Sequence, residues 1–149
     1  MEGDGRKNAA VAVLYDGTSV LMIKRKEREG DPWSGDIAFP GGFNKPDEDL
    51  TATARRECLE ETGVIPGNVI DAGSLKTFHG DVNVEVYVSR VNRSSPLPGD
   101  EVDKAFWVPV NELVEDGLTY PWNGYTIWGL TYRILKKLFS DRERYFPEN

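Results

Sequence analysis

The chain is 149 residues long, 39% hydrophobic and 29% charged, with a formal net charge of −7 and one cysteine. That is enough chain for one domain burying roughly two-thirds of its unfolded surface, and no apolar run approaches the roughly 18 residues of a membrane span. The acid surplus argues against a nucleic-acid polymer as partner, because phosphate backbones require basic surfaces, whereas a small anionic ligand can be met by bound metal and a few Lys or Arg side chains. Cys58 cannot form an intrachain disulfide and MEGDGRKN lacks the apolar core of a leader, so the expected compartment is the cytoplasm. Composition leaves a homodimer open.

Residues 1–7 read as a polar, frayed start. AAVAVLY (9–15) and SVLMIKR (19–25) flank Asp16-Gly17 and predict a β-hairpin. KEREGDPW (26–33) is a polar loop. DIAFPGG (36–42) is a short strand broken by Pro40 and two glycines, where a main-chain carbonyl can approach an ion because Gly41 and Gly42 carry no side chain. Leu50 through Thr62 contains no Gly or Pro, has Asp47, Glu48 and Asp49 at its start and Gly63 past its end, and predicts a helix. NVIDAGSLKTFHG (68–80) precedes DVNVEVYVSRV (81–91), whose alternating Val82, Val84, Val86 and Val88 mark a strand with one buried face. RSSPLPGDE (93–101) is a loop by composition. AFWVPVNELVEDG (105–117) predicts a short strand and a brief helix capped by Asn111 and ended by Gly117. A last helix is expected from about Thr126, on the spacing of Ile127, Leu130, Ile134 and Leu138. Mixed strands with two substantial helices predict a single α/β (α+β) domain, a sheet clasped between helices.

On the first helix, Leu50, Ala54 and Cys58 recur as a narrow apolar stripe, while Glu57 and Glu61, four apart, lie on the neighbouring stripe. Like charges at that spacing cost an isolated helix roughly 0.2–0.5 kcal/mol, and Glu60 adds to the repulsion. Hard divalent cations such as Mg²⁺ take a few carboxylate oxygens together with waters and substrate phosphates, so the cluster reads as a metal site. A solvated acidic face paired with Arg55 and Arg56 explains the acids alone equally well. Cys58 falls on the packing stripe with no neighbouring His and reads as inert. His79 pairs with nothing in the sequence and reads as a structural or surface residue.

From Gly42 to Val64, GFNKPDEDLTATARRECLEETGV fits G-x₅-E-x₇-R-E-U-x-E-E-x-G-U, where U is aliphatic and Cys58 stands at the first such position. This resembles the Nudix box. The resemblance implies an α-β-α sandwich and hydrolysis of a nucleoside diphosphate linked to another moiety, with water attacking one phosphorus. It implies Mg²⁺ or Mn²⁺, more than one ion with substrate bound, held by Glu57 and Glu61 with Glu60 contributing and the Gly41 carbonyl completing the shell. Glu48 and Arg56 become a structural pair holding the loop against the helix, with Gly42 and Gly63 supporting the site. The general base varies within the family. Here Glu57 could serve through a metal-bound water, or Glu101, ahead of Asp103, could reach in from the loop before the WVPV strand.

The flanks are similar to the coenzyme A pyrophosphatase branch of that family. Leu21, Met22, Arg25, Gly35 and Phe39-Pro40-Gly41-Gly42 match its run before the box, and Ile127 to Thr131 its last helix. Ile23, Lys26 and Trp33 replace a Thr, a Ser and a His, and the segment runs one residue longer. That branch implies coenzyme A cleaved to 3′,5′-ADP and 4′-phosphopantetheine, with Lys24, Arg25, Lys26 and Arg28 meeting the extra phosphate and Trp33 and Phe39 at the substrate. Tyr125, Trp128 and Tyr132 could stack on adenine, although their helical spacing suits core. Two other readings stand beside it: an ADP-ribose, dinucleotide or nucleotide pyrophosphatase with another pocket, and a catalytically silent nucleotide-binding module. Against the silent module stand the retained Glu57, Glu60 and Glu61.

Overall fold

The computed structural model describes residues 7–30, 35–77 and 80–148. The first two apolar runs form β1 (Lys7–Tyr15) and β2 (Ser19–Arg25). The turn between them is made by its own side chains: Asp16 Oδ1 accepts from the N–H groups of Thr18 and Ser19 at 2.9 and 2.8 Å, and Gly17 takes φ 107°. The hairpin goes no further than its mouth. The strands meet at Tyr15↔Val20 and then splay, because β4 (Gly41–Phe43) takes the edge of β1 at Ala9–Val11 while β2 runs against β3 (Ile37–Ala38) and β7 (Val102–Pro109). The gap admits 36–43, with the Pro40 carbonyl accepting from Ala12 N–H at 2.9 Å. β1 pairs along its length, in parallel, with β6 (Val82–Arg90), and β5 (Val69–Lys76) lies antiparallel outside β6. Among the described residues the sheet is seven-stranded and mixed, ordered β3-β2-β1-β6-β5, with β4 on β1 and β7 on β2.

Alternation along β1 divides the core. Ala10, Ala12 and Leu14 face α1 (Leu50–Thr62), where they meet Leu21, Tyr87 and the helix's own Ala54 and Cys58. Small residues on both sides let that helix lie close to the sheet. Val13, Met22, Val86, Val88 and Val108 face the other way and pack with Ile134, Leu135 and Leu138 of α2 (Gly129–Phe139). The result is the expected helix–sheet–helix α/β sandwich. β6 departs from the expected single buried face: Tyr87 is only 7% exposed beneath α1, because the strand is central and has a helix layer on each side.

The C-terminal third differs most from expectation. Asn111 caps no helix; Val110–Glu112 is a single 3-10 turn, and Asp116 and Thr119 close a tight turn through Gly117 at φ 63°. The last helix begins at Gly129 rather than Thr126. Asn123 and Gly124 both take positive φ and close a hairpin of β8 (Tyr120–Trp122) and β9 (Tyr125–Ile127), so Ile127 is a buried strand residue. A four-residue α3 (Arg142–Tyr145) follows. Among the described residues no helix is long and apolar enough to cross a membrane.

Candidate active site

α1 is punctuated as its sequence dictates. Asp49 Oδ1 accepts from Ala52 N–H at 2.8 Å, and Gly63, at φ 72°, donates its N–H to the Leu59 carbonyl at 2.9 Å. Ahead of the helix, Glu48 locks the 44–48 loop. Its Oε2 accepts from Arg56 Nε at 2.8 Å, and its Oε1 from Arg56 Nη2, Thr53 Oγ1 and Lys45 N–H at 3.1, 2.8 and 3.1 Å. Arg56 also donates to the Phe43 carbonyl at 3.1 Å, joining β4 to the helix. The guanidinium, with those further donors, holds the Glu48 carboxyl down to about 2.

One turn beyond Arg56 the electrostatics reverse. Glu61 Oε1 accepts from Gly41 N–H at 2.8 Å, yet burial, with the charge of Glu57 adding to it, pushes the carboxyl up to about 7. Burial likewise lifts Glu57 above the usual carboxylate range, although Arg56 Nη1 lies 3.2 Å away. The paired glycines follow from this packing. A Cβ at Gly42 would strike the Glu57 carboxylate, and one at Gly41 would strike the Ala10 carbonyl. Glu60 stands toward the rim of the expected acid set: its side chain is 56% exposed and lies 3.7 Å from Arg56, because four residues on from Arg56 it falls on the arginine's stripe and points away from its neighbour Glu61.

A cleft of about 580 Å³ opens over this face. It joins Gly41, Gly42, Glu57 and Glu61 to five cationic side chains, Arg25, Lys26, Arg28, Lys45 and Arg56, and to Glu101. Arg25 arrives through a β-bulge: Lys24 pairs with Lys104 but Arg25 with Val102, so Asp103 is the extra residue. Glu101 ion-pairs with Arg28, and its carbonyl accepts from Lys26 N–H at 3.4 Å. Lys24, expected among these cations, is instead engaged by Asp103 at 3.2 Å and Glu27 at 4.0 Å. Phe39, expected at the substrate, is 3% exposed in the core cluster shared with α2. Trp33 and His79 lie outside the described residues. Tyr132 is buried with its hydroxyl on Glu115, Tyr125 stacks on Phe106 at 6.0 Å, and half-exposed Trp128 donates Nε1 to Asp36 at 3.1 Å. Lys45 is the cleft cation that the sequence does not single out, although a cation among the variable positions of the motif, three residues before Glu48, is its signal; Phe43, Asn44 and Pro46 line the cleft beside it. Cys58 is fully buried and burial pushes its thiol up to about 11, which keeps it inert.

Among the described residues no three His, Cys, Asp or Glu side chains converge as a ready metal cage. The acids build a two-carboxylate site instead. Mg²⁺ and Mn²⁺ suit such a donor set, since they keep waters and draw further oxygens from substrate phosphates, and the desolvated carboxylates of Glu57 and Glu61 fit them.

Paired acids on a helix, packed against a glycine strand beside a cation-walled cleft in an α/β sandwich, are the arrangement that the resemblance to the Nudix family implies. The NUDIX domain family matches residues 5–127, and the chain belongs to the Nudix hydrolases. Nudix hydrolase 3 of Caenorhabditis elegans is 34% identical over 130 residues, covering 78% of this chain and 54% of its own length. The peroxisomal coenzyme A diphosphatase ndx-8 of the same animal is 27% identical over 128 residues, covering 77% of this chain and 54% of its own. The chain thus spans about half the length of these curated relatives. The NUDIX domain of Shewanella oneidensis NrtR, solved in complex with ADP ribose, shares the fold at a TM-score of 0.72 and 18% identity, covering 91% of this chain and 87% of that one.

Proposed function

We propose that the chain is a Mg²⁺- or Mn²⁺-dependent hydrolase that cleaves the pyrophosphate bond of a nucleoside diphosphate derivative by water attack on phosphorus. One observation carries the reading: two desolvated carboxylates, Glu57 and Glu61, share a single cleft with five cationic side chains. A divalent ion held by Glu57, Glu61 and the Gly41 carbonyl would neutralise phosphate oxygens and lower the pKa of a bound water. Arg25, Lys26, Arg28 and Lys45 hold the outer phosphate oxygens and orient the bond to be cleaved. Glu101 accepts the proton of the attacking water as its oxygen bonds to one phosphorus. The bridging P–O bond breaks and its electron pair leaves with the other phosphate. Glu60 adds charge at the rim, while Arg56 and Glu48 orient Glu57 and are not themselves catalytic.

Coenzyme A is the substrate this reading favours, supported by the named activity of the worm relative and by the cation count of the cleft. ADP-ribose is second, supported by the ligand of the NrtR domain. The test is incubation with Mg²⁺ or Mn²⁺ and coenzyme A, ADP-ribose, NADH, diadenosine polyphosphates and nucleoside triphosphates, with products identified by mass and Glu61→Gln as control. Coenzyme A cleaved first, to 3′,5′-ADP and 4′-phosphopantetheine, supports the proposal in full. Preference for another compound keeps the pyrophosphohydrolase and removes coenzyme A. No metal-dependent cleavage of any compound overturns turnover in favour of a silent nucleotide-binding module.

A further inference from the structure

The segment 93–101 is strapped across the molecule by its backbone. Trp107 Nε1 donates to the Ser94 carbonyl at 2.9 Å, Leu97 N–H to the Thr62 carbonyl at 2.7 Å, and Gly99 N–H to the Glu61 carbonyl at 3.1 Å. Gly99 then accepts from Val102 N–H at 3.1 Å, closing a turn with Glu101 at its corner, and the Glu101 carbonyl accepts from Lys26 N–H at 3.4 Å. Glu61 therefore offers its carboxylate to the cleft and its main-chain carbonyl to the turn that carries Glu101. Gly99 is required by contact alone: a Cβ there would run into the Glu60 carbonyl oxygen.

We propose that Gly99 is a positioning residue, which hangs the 99–102 turn on the carbonyl end of α1 and so fixes Glu101 relative to the acids of the helix. The inference rests on the hydrolase reading and on Glu101 as the base. A helix end needs its last carbonyls satisfied, and Leu97 and Gly63 already serve that purpose on neighbouring carbonyls. The bond from Gly99 does something further, because Gly99 opens the turn two residues before the side chain that must reach the attacking water. A displacement of that carboxylate by about an ångström is enough to cost a large factor in rate.

The test is a double-variant cycle, with coenzyme A and ADP-ribose as substrates and Mn²⁺ as the ion. Glu101→Gln is expected to lower kcat about a hundredfold, as for loss of a general base. Gly99→Ala is expected to lower kcat by about thirtyfold, with KM and Mn²⁺ binding, read by paramagnetic resonance, within about threefold of wild type. Gly99→Ala combined with Glu101→Gln should be no slower than Glu101→Gln alone. A glycine inserted between Asp100 and Glu101, which leaves the Gly99 contact intact but lengthens the tether, should reproduce the loss even where Gly99→Ala does not fold. Losses that multiply in the combined variant, or wild-type kcat in the insertion variant, overturn the inference and leave the hydrolase standing. Full activity in Glu101→Gln overturns it together with the role of Glu101, while inactive wild-type protein overturns the proposed function itself.

Discussion

Glu48 and Glu61 belong to one motif and stand at the two ends of one helix, yet their carboxyls are shifted in opposite directions, to about 2 and about 7. The difference is in their partners. Glu48 has a bidentate guanidinium and two further donors, so its charge is already answered. Glu61 has lost water and faces a neighbouring carboxylate, and one peptide N–H and the charge of Arg25 offset this only in part, so its charge is left for a bound cation to answer. The first acid is finished as structure; the second is left open for chemistry.

The sharpest way to break this comparison is at Glu61. Glu61→Gln is expected to lower kcat about a thousandfold in metal-dependent hydrolysis, the scale of losing a preorganised electrostatic group, and a steady-state assay that finds full activity would break it. Next comes the other end. Arg56→Ala removes the contacts that tie Glu48, the Phe43 carbonyl and Glu57 together, and is expected to lower the melting temperature by about 5–10 °C as followed by circular dichroism. A smaller effect concerns pH. Unfolded Glu61 titrates near 4.5 and the folded residue near 7, so between these values the folded state holds more protons and metal-free stability falls as pH rises, with no further loss above. Metal-free Glu61→Gln should therefore exceed wild type at pH 8 by about 2 kcal/mol after solvent screening, converging near pH 4.5 in thermal melts, and added Mn²⁺ should stabilise wild type alone. Least affected should be Glu60→Gln, with about a tenfold loss of kcat in the same assay, because its exposed carboxyl stands beside Arg56 rather than with Glu61.

The acidic helix was legible to the residue, since cap, glycine stop and apolar stripe all agreed. So were the Glu48–Arg56 pair and the inert Cys58. What escaped reading was decided by non-local packing. Asp16-Gly17 was rightly read as a turn, but whether its strands stay paired depended on 36–43 and on β7, neither of which the local pattern weighs. Asn123-Gly124 closes a hairpin that the helical spacing of Ile127 and Leu130 does not announce. Phe39 adjoins the motif in sequence, yet the alternation of a two-residue strand and a tight Pro-Gly-Gly sends it into the core. Lys24 and Arg25 are adjacent, and only the bulge opposite them separates the cation that lines the cleft from the one engaged by Asp103.

The parallel pairing of β1 with β6, from Lys7↔Val82 to Tyr15↔Arg90, also bears on how the chain reaches this state. β1 has its full-length partner far along the chain, and its local neighbour β2 offers it little more than a turn. Closure of so long a loop must precede the reward of pairing, which slows folding toward the millisecond-to-second range of non-local topologies. During translation the apolar run AAVAVLY lacks its full-length partner until Arg90 has emerged, and that interval is where a nascent chain of this fold is most exposed to aggregation.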